Sequence, residues 1–105
     1  MIKERYEIWD AYVKFEDDPN TVQKHPVMIW NDNVYICTGF KITSTNRGDN
    51  DKELRIVHWE ESGLDHESSI RLGKLVKLEE KDFIRKRGKL DDRDRLKFDL
   101  RHSRL

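Results

Sequence analysis

The 105-residue sequence lacks several features on which common classes of protein depend. It has one cysteine, Cys37, which excludes an internal disulfide and a metal site built from several cysteines. No run of residues is long and apolar enough to span a membrane, and no apolar signal core follows the first five residues. We therefore expect a protein that has no membrane partner and stays in the cytoplasm.

Motifs for cofactors and metals are missing as well. There is no glycine-rich phosphate loop, and the four histidines are scattered rather than grouped at metal-ligand spacing. No motif marks a Ser-His-Asp triad. The sequence thus predicts neither a cofactor nor a metal, and any chemistry would fall to ordinary side chains. Cys37 follows two apolar residues, which favours a buried, unreactive thiol over a nucleophile.

Charge, by contrast, is abundant and evenly balanced. Charged residues make up 40% of the chain and hydrophobic residues 35%, with 21 basic and 21 acidic side chains. A short chain with few hydrophobic residues can form only a small core, and association buries additional surface. We therefore expect a homodimer. Nine basic and four acidic residues lie between residue 85 and the end. A basic end suits RNA phosphates or an acidic partner, although a solvated helical face is the plainer interpretation.

Alternating apolar and polar residues predict several short strands in a single domain, residues 1–105. The predicted strands are residues 5–15, 26–30, 34–43, 54–59, 69–72 and 74–78. Polar, turn-rich composition predicts loops at residues 16–25 and 46–51. Because strand side chains alternate, we expect Phe40 and Ile42 in the core and Thr43 pointing away from it.

The sequence pattern changes after residue 80. Residues 81–86 predict one or two helical turns that end at Gly88 as a C-cap. Asp91 is the expected N-cap of a last helix, in which Leu96 and Leu100 lie one turn apart. Short strands followed by a helix indicate a mainly β, α+β fold, a small barrel with a helix packed against it.

Two segments beside predicted strands contain the side chains best suited to chemistry. They are Lys24 and His25 at the end of the first loop, and Thr43, Ser44, Thr45 and Arg47 at the start of the second. Together they offer an imidazole, two cations and three hydroxyls, an inventory that suits a phosphodiester. On composition alone, ordinary loop and turn residues are the commoner explanation.

Five segments, in order, resemble the MazF/PemK family of toxin endoribonucleases. The opening strand at residues 6–15 is similar to the family's first strand, and Lys-His-Pro-Val-Met-Ile at 24–29 to its second, which usually begins Arg-Pro-Val. Ile-Thr-Ser in residues 40–44 matches a family segment. So do the Gly-Leu turn and Ile-Arg-Leu strand in residues 59–72, and Gly-Lys-Leu in residues 87–90.

The resemblance implies an SH3-like curved antiparallel barrel, a homodimer, and cleavage of single-stranded RNA without metal. It also implies a cognate antitoxin whose acidic or apolar tail occupies the RNA groove. On this view His25 and Thr43 are the catalytic residues. Phosphate would be bound by Lys24, Ser44, Thr45 and Arg47.

The sequence departs from the family at the catalytic arginine, whose position is taken by His25. Arginine brings a permanent charge and a bidentate fork for phosphate, whereas histidine titrates near neutrality. His25 can therefore be a true acid or base with Lys24 or Arg47 supplying charge. Alternatively, the site has decayed and the protein only binds RNA or its antitoxin. A housekeeping adaptor on the same fold is a third reading.

Overall fold

A computed structural model describes residues 3–14, 20–33, 36–44 and 50–103 of the chain. The elements are β1 (Glu7–Lys14), β2 (Val22–Asp32), β3 (Cys37–Thr43), β4 (Glu53–Ile56), β5 (Ser68–Leu78), a 3-10 turn (Glu80–Asp82), β6 (Phe83–Lys89) and α1 (Asp92–His102). The strands form one antiparallel sheet in the order β4-β5-β3-β2-β1-β6. The predicted mainly β, α+β fold with its last helix at the C-terminus is confirmed.

Alternation along the strands gives the sheet two apolar surfaces. We call the surface covered by α1 the helix side; its buried residues include Ile8, Met28, Phe40, Ile42, Ile70, Leu72 and Phe98. The opposite surface, the far side, buries Ala11, Val13, Val27, Ile29, Cys37 and Leu78. The expected burial of Phe40 and Ile42 is confirmed, at 3% and 0% exposure.

A single strand, β5, replaces the two strands predicted on either side of Gly73. Phe40 of β3 pairs with Leu75, whereas Ile42 pairs with Ile70, so β5 has extra residues between these two pairs. Such an irregularity bends a strand and increases its twist. As a result β5 contributes Ile70 to the helix side and Leu78 to the far side.

The last helix begins at the expected cap. The Asp91 carboxylate accepts a hydrogen bond from the Arg93 backbone N–H at 3.0 Å. Phe98 is completely buried and packs against Tyr6, Trp30 and Phe40. None of the helices in the described ranges is long and apolar enough to cross a membrane.

A close contact between the turn after β4 and strand β6 positions the residues of the candidate site. Gly63 has φ +89°, and a Cβ there would lie 2.1 Å from the backbone oxygen of Arg87. A Cβ on Gly88 would lie 2.5 Å from the oxygen of Ser62. Only glycine fits at both positions, because the two backbones touch. The turn that follows, residues 64–66, is therefore held against β6.

Three sequence predictions about element boundaries are wrong. Residues 22–25 are not loop but the start of β2, which pairs with β1 through Lys14↔Val22. The helical turns predicted at 81–86 are limited to Glu80–Asp82, and Gly88 lies inside β6 rather than capping a helix. Pairing with β1 and packing of Phe83 on Trp9 (ring centroids 5.7 Å apart) outweigh the local helix preference. Strand β4 ends at Ile56, three residues earlier than predicted, and the predicted loop at 46–51 lies mostly outside the described residues.

Candidate functional site

The start of β2 separates two neighbouring candidate residues. Lys24 lies opposite Tyr12 of β1. It points to the same face as Pro26, two residues further along the strand, which lies opposite Asp10. His25 lies opposite Ala11, which is buried in the far-side core. Because successive side chains in a strand point to opposite faces, Lys24 belongs to the helix side and His25 to the far side.

The far side brings His25 towards Thr43. Val27 of β2 lies opposite Lys41 of β3, and the pairing is antiparallel. His25 is two residues before Val27, and Thr43 is two residues after Lys41, so all four side chains share one face. Thr43 is in turn opposite Ser69 of β5. The far side thus collects an imidazole, an ammonium and a hydroxyl at one end of the sheet.

The environment of His25 favours its neutral form. Burial lowers the pKa of the half-buried imidazole below its ordinary value of 6.5, and the positive charge of Lys41 lowers it further. Its Nε2 lies 3.3 Å from Oε1 of the exposed Gln23. A neutral imidazole at pH 7 can accept a proton, so His25 suits a general base better than a permanent positive charge.

The helix side forms a cleft of about 180 Å³ at the same end of the sheet. Its lining residues come from β1, β2, β6, the end of β3, and the segment that leads into β5. They are Asp10, Lys24, Pro26, Ser44, Leu64, Asp65, His66, Ser68 and Arg87.

A buried carboxylate organises the cations of this cleft. Asp10 is only 3% exposed. Its Oδ2 lies 3.1 Å from Arg85 Nε, 3.6 Å from Arg87 Nη1 and 3.9 Å from Lys24 Nζ. A buried carboxylate requires compensation of this kind, since its charge is costly in the absence of water.

Arg87 is the most constrained of these cations. Its side chain is 8% exposed, its Nε donates to the backbone oxygen of Gly63 at 3.2 Å, and its Nη2 pairs with Asp65. Strand β6 reaches this position by bulging: Ile8 pairs with Gly88 but Trp9 with Lys86, so Arg87 is the extra residue. The bulge directs the guanidinium to Asp10.

The structure therefore divides the predicted site residues into two groups. Lys24 and Ser44 line the helix-side cleft, whereas His25 and Thr43 lie on the far side. Thr45 and Arg47 lie outside the described residues. The expectation that Thr43 lies on the opposite face from Phe40 and Ile42 agrees with its pairing.

Sequence reasoning missed Asp10, His66, Arg87 and Lys41. Asp10 stands between Trp9 and Ala11 on what alternation predicts to be a polar, exposed face, and nothing in the pattern indicates its burial. Arg87 belongs to a basic end and to a segment that resembles the family, and neither feature indicates its burial. Lys41 had one available signal: it alternates with Thr43, so the two had to share a face.

A third cluster joins three residues far apart in the sequence. Nδ1 of His58 and carboxylate oxygens of Asp91 and Asp94 lie within 4.8 Å of one another, a grouping that can hold a metal ion. The fold already uses these atoms. The Asp94 carboxylate accepts hydrogen bonds from the backbone N–H groups of Val57 and His58 at 3.0 and 2.8 Å. The Asp91 carboxylate caps α1 and accepts a hydrogen bond from the Arg93 side chain. The cluster joins the turn after β4 to the helix.

Cys37 agrees with its predicted inert character. It is 6% exposed, and burial is the main cause that raises the pKa of its thiol to about 11. A thiol with that pKa is protonated at neutral pH and is a poor nucleophile.

Comparison of the sequence with protein-family models and with curated proteins finds no match. The likeness to MazF/PemK toxins therefore rests on the five sequence segments.

Proposed function

We propose that the protein is a toxin-like endoribonuclease that cleaves single-stranded RNA without metal and acts in the cytoplasm as part of a toxin-antitoxin pair. The observation that carries the proposal is the far-side group of His25, Lys41 and Thr43, in which burial and the Lys41 charge lower the pKa of His25. These are the group types that phosphodiester cleavage requires. His25 and Thr43 also occupy the sequence positions that the resemblance matches to the family's catalytic residues.

The chemistry follows from the roles of the three groups. His25 takes the proton of the ribose 2′-OH as its oxygen attacks the adjacent phosphorus. The Lys41 ammonium and the Thr43 hydroxyl donate to the phosphate oxygens, whose charge increases in the transition state. The bond to the 5′ oxygen breaks, that oxygen takes a proton from solvent, and the products carry a 2′,3′-cyclic phosphate and a 5′-hydroxyl.

Histidine in the position of the family's arginine changes the expected behaviour. Arginine provides charge and a bidentate fork, and it does not titrate. With His25 the charge passes to Lys41, and the imidazole is left to move the proton. The activity should therefore depend on pH near and below 6.5, the ordinary pKa of histidine.

The proposed partners follow the resemblance. They are single-stranded RNA, a second copy of the chain, and an antitoxin with an acidic or apolar tail. The excess of basic residues after position 85 supports an acidic partner, because opposite charges speed encounter and favour the matching partner.

A second candidate function is a non-catalytic module that binds RNA or the antitoxin on the same fold. It is favoured by the helix-side cleft, whose cations Lys24 and Arg87 are independent of His25. A site of this kind binds an anion whether or not the far side retains activity.

Cleavage of a mixed-sequence single-stranded RNA in EDTA separates the two candidates. We expect cyclic-phosphate ends from wild type and a rate about a hundredfold lower or more for His25→Ala, as is typical when a general base is lost. Because Lys77 is an exposed residue of β5 opposite Thr38, Lys77→Gln purified in the same way controls for contaminating nuclease. Equal rates in wild type and His25→Ala, or no cleavage by wild type, would leave the binding module as the function.

His25→Arg adds a second comparison, because it restores the family's residue. A loss of activity identifies the imidazole as the proton carrier. A gain identifies wild type as a weakened enzyme in which charge matters more than proton transfer, and it would contradict the role proposed for His25.

A further inference from the structure

The ion cluster around Asp10 contains more positive than negative charge. Lys24, Arg85 and Arg87 surround Asp10, and Asp65 provides one further carboxylate through its pair with Arg87. Three cations of the cluster therefore face two carboxylates, and Lys24 and Arg87 are the two of these cations that line the cleft. Asp10 is buried and lies closer to Arg85 and Arg87 than to Lys24, whose Nζ is 3.9 Å from Oδ2. The side chain of Lys24 is 57% exposed, so its ammonium is accessible to a ligand.

The cleft is built from rigid parts. Arg87 is fixed by Asp10, Asp65 and the Gly63 oxygen. The buried Ser68 hydroxyl donates to the backbone oxygen of His66 at 2.8 Å, which fixes the segment leading into β5. Preformed walls lower the entropy lost when a ligand binds.

The polar groups of the cleft suit a phosphoryl group. Lys24 offers an ammonium, Ser44 a hydroxyl, and exposed His66 an imidazole N–H. Charge-assisted hydrogen bonds from groups of these types are the usual ligands of phosphate oxygens. The volume of about 180 Å³ is large enough for a phosphate with part of a sugar.

An exposed aromatic ring lies beside this cleft. Tyr12 is 51% exposed, lies directly opposite Lys24, and shares the helix side with Asp10, two residues away in β1. Directly opposite side chains in an antiparallel pair have Cβ atoms about 4.5–5.5 Å apart. The ring of Tyr12 is therefore beside Lys24, where it can stack on the base of a nucleotide whose phosphate binds Lys24, or on the adjacent base.

We propose that the helix-side cleft is a nucleotide-binding subsite, in which Lys24, Ser44 and His66 bind the phosphate and Tyr12 stacks on the base. The ligand class is a nucleoside phosphate, either a free mononucleotide or one unit of a single-stranded chain. The inference does not rest on the proposed cleavage, because it uses the opposite side of the sheet from His25 and Thr43.

Titration with ligands that cannot be cleaved tests the subsite. The probes are 5′-AMP, ribose 5-phosphate, adenosine and a fully 2′-O-methylated hexanucleotide, with affinity measured by calorimetry at two salt concentrations. We expect 5′-AMP to bind more tightly than either of its fragments, because only the whole nucleotide uses both Lys24 and Tyr12. If the hexanucleotide binds more tightly than 5′-AMP and the two compete, the natural ligand is a unit of a single-stranded chain. If 5′-AMP binds more tightly than the hexanucleotide, the natural ligand is a free nucleotide.

Substitutions at exposed positions attribute the binding without endangering the fold. Lys24→Gln is expected to weaken 5′-AMP about tenfold and to reduce the salt dependence, as the loss of one charged phosphate contact does. Tyr12→Ala is expected to weaken it about fivefold or more, whereas Tyr12→Phe retains the stacking ring. Lys77→Gln on β5 makes the same change of charge outside the cleft and should bind as wild type does.

Two results would overturn the inference. One is failure of both 5′-AMP and the hexanucleotide to bind wild type at millimolar concentration. The other is equal affinity of wild type, Lys24→Gln and Tyr12→Ala, which would make the cations of the cleft a purely structural ion network. RNA cleavage plays no part in either readout, so failure of this inference is distinguishable from failure of the proposed function.

Discussion

Lys24 and His25 are neighbours in β2, yet their side chains enter different environments. Lys24 faces a cleft in which a buried carboxylate holds several cations together. His25 faces the apolar far side, where burial and a neighbouring lysine disfavour its protonation. One side is suited to attract an anion, and the other is suited to accept a proton.

Under the two proposals, one sequence segment serves two sites. In sequence the residues around 24–25 and 43–47 form one inventory for a phosphodiester. In the sheet, the period of two splits that inventory, with Lys24 and Ser44 on the helix side and His25 and Thr43 on the far side. Both groups lie at the same end of the sheet, and the two proposals together require one strand of RNA to cross this end.

The largest effect is expected from the residue that closes the helix side. Phe98→Ala removes a completely buried ring from contacts with Tyr6, Trp30 and Phe40, and it should cost about 3–5 kcal/mol of unfolding free energy. Leu96→Ala, 68% exposed on the same helix, should change stability by less than about 0.5 kcal/mol. Denaturant unfolding measures both; similar losses would mean that α1 does not cover the helix side as described.

The next effect concerns the carboxylate of the cleft. Asp10→Ala leaves the buried guanidinium of Arg87 with Asp65 as its acidic partner, and it should cost about 2–4 kcal/mol because a buried charge loses compensation. Asp51→Ala, an exposed acidic residue, is the matched control. Thermal unfolding that shows equal stability for the two variants would contradict the structural role of Asp10.

A smaller effect is expected at the far-side cysteine. Cys37→Ala removes one buried heavy atom and should cost about 1 kcal/mol, with RNA cleavage unchanged. Because its pKa is about 11, Cys37 should also resist alkylation at pH 8 until the protein unfolds. Rapid alkylation of the folded protein would show that the far side is open to solvent at this strand.

The smallest expected effect is a shift in pH dependence. The lowered pKa of His25 places the acidic limb of the proposed cleavage below pH 6.5, and Lys41→Gln should move that limb upward because one cause of the lowering is removed. The free energy of unfolding should depend on pH in the same direction. The unfolded chain binds the His25 proton more readily than the folded protein does, because the pKa of His25 is lowered on folding. The stability contribution of His25 is therefore present above pH 6.5 and is lost as pH falls through the folded pKa. If the acidic limb is at the same pH in Lys41→Gln and wild type, the charge of Lys41 does not lower the pKa of His25.

Sequence patterns predicted the elements whose alternation is regular and missed those defined by contacts between distant segments. The strands around Trp9, Phe40 and Ile42 follow from the period of two, and the cap at Asp91 follows from local chemistry. Strand β6 does not follow from its local sequence, because its charged residues favour a helix. Pairing with β1 outweighs that preference. The burial of Asp10 depends on cations that lie 14 to 77 positions away, which no local pattern encodes.

The most direct test of the two-sided site is a kinetic comparison of two adjacent substitutions, His25→Ala and Lys24→Gln, on one single-stranded RNA. With chemistry on the far side and binding on the helix side, His25→Ala lowers kcat about a hundredfold or more with little change in KM. Lys24→Gln raises KM and leaves kcat near that of wild type. Equal losses of kcat in both variants would contradict the division, and wild-type kinetics in His25→Ala would contradict the catalytic role of the far side.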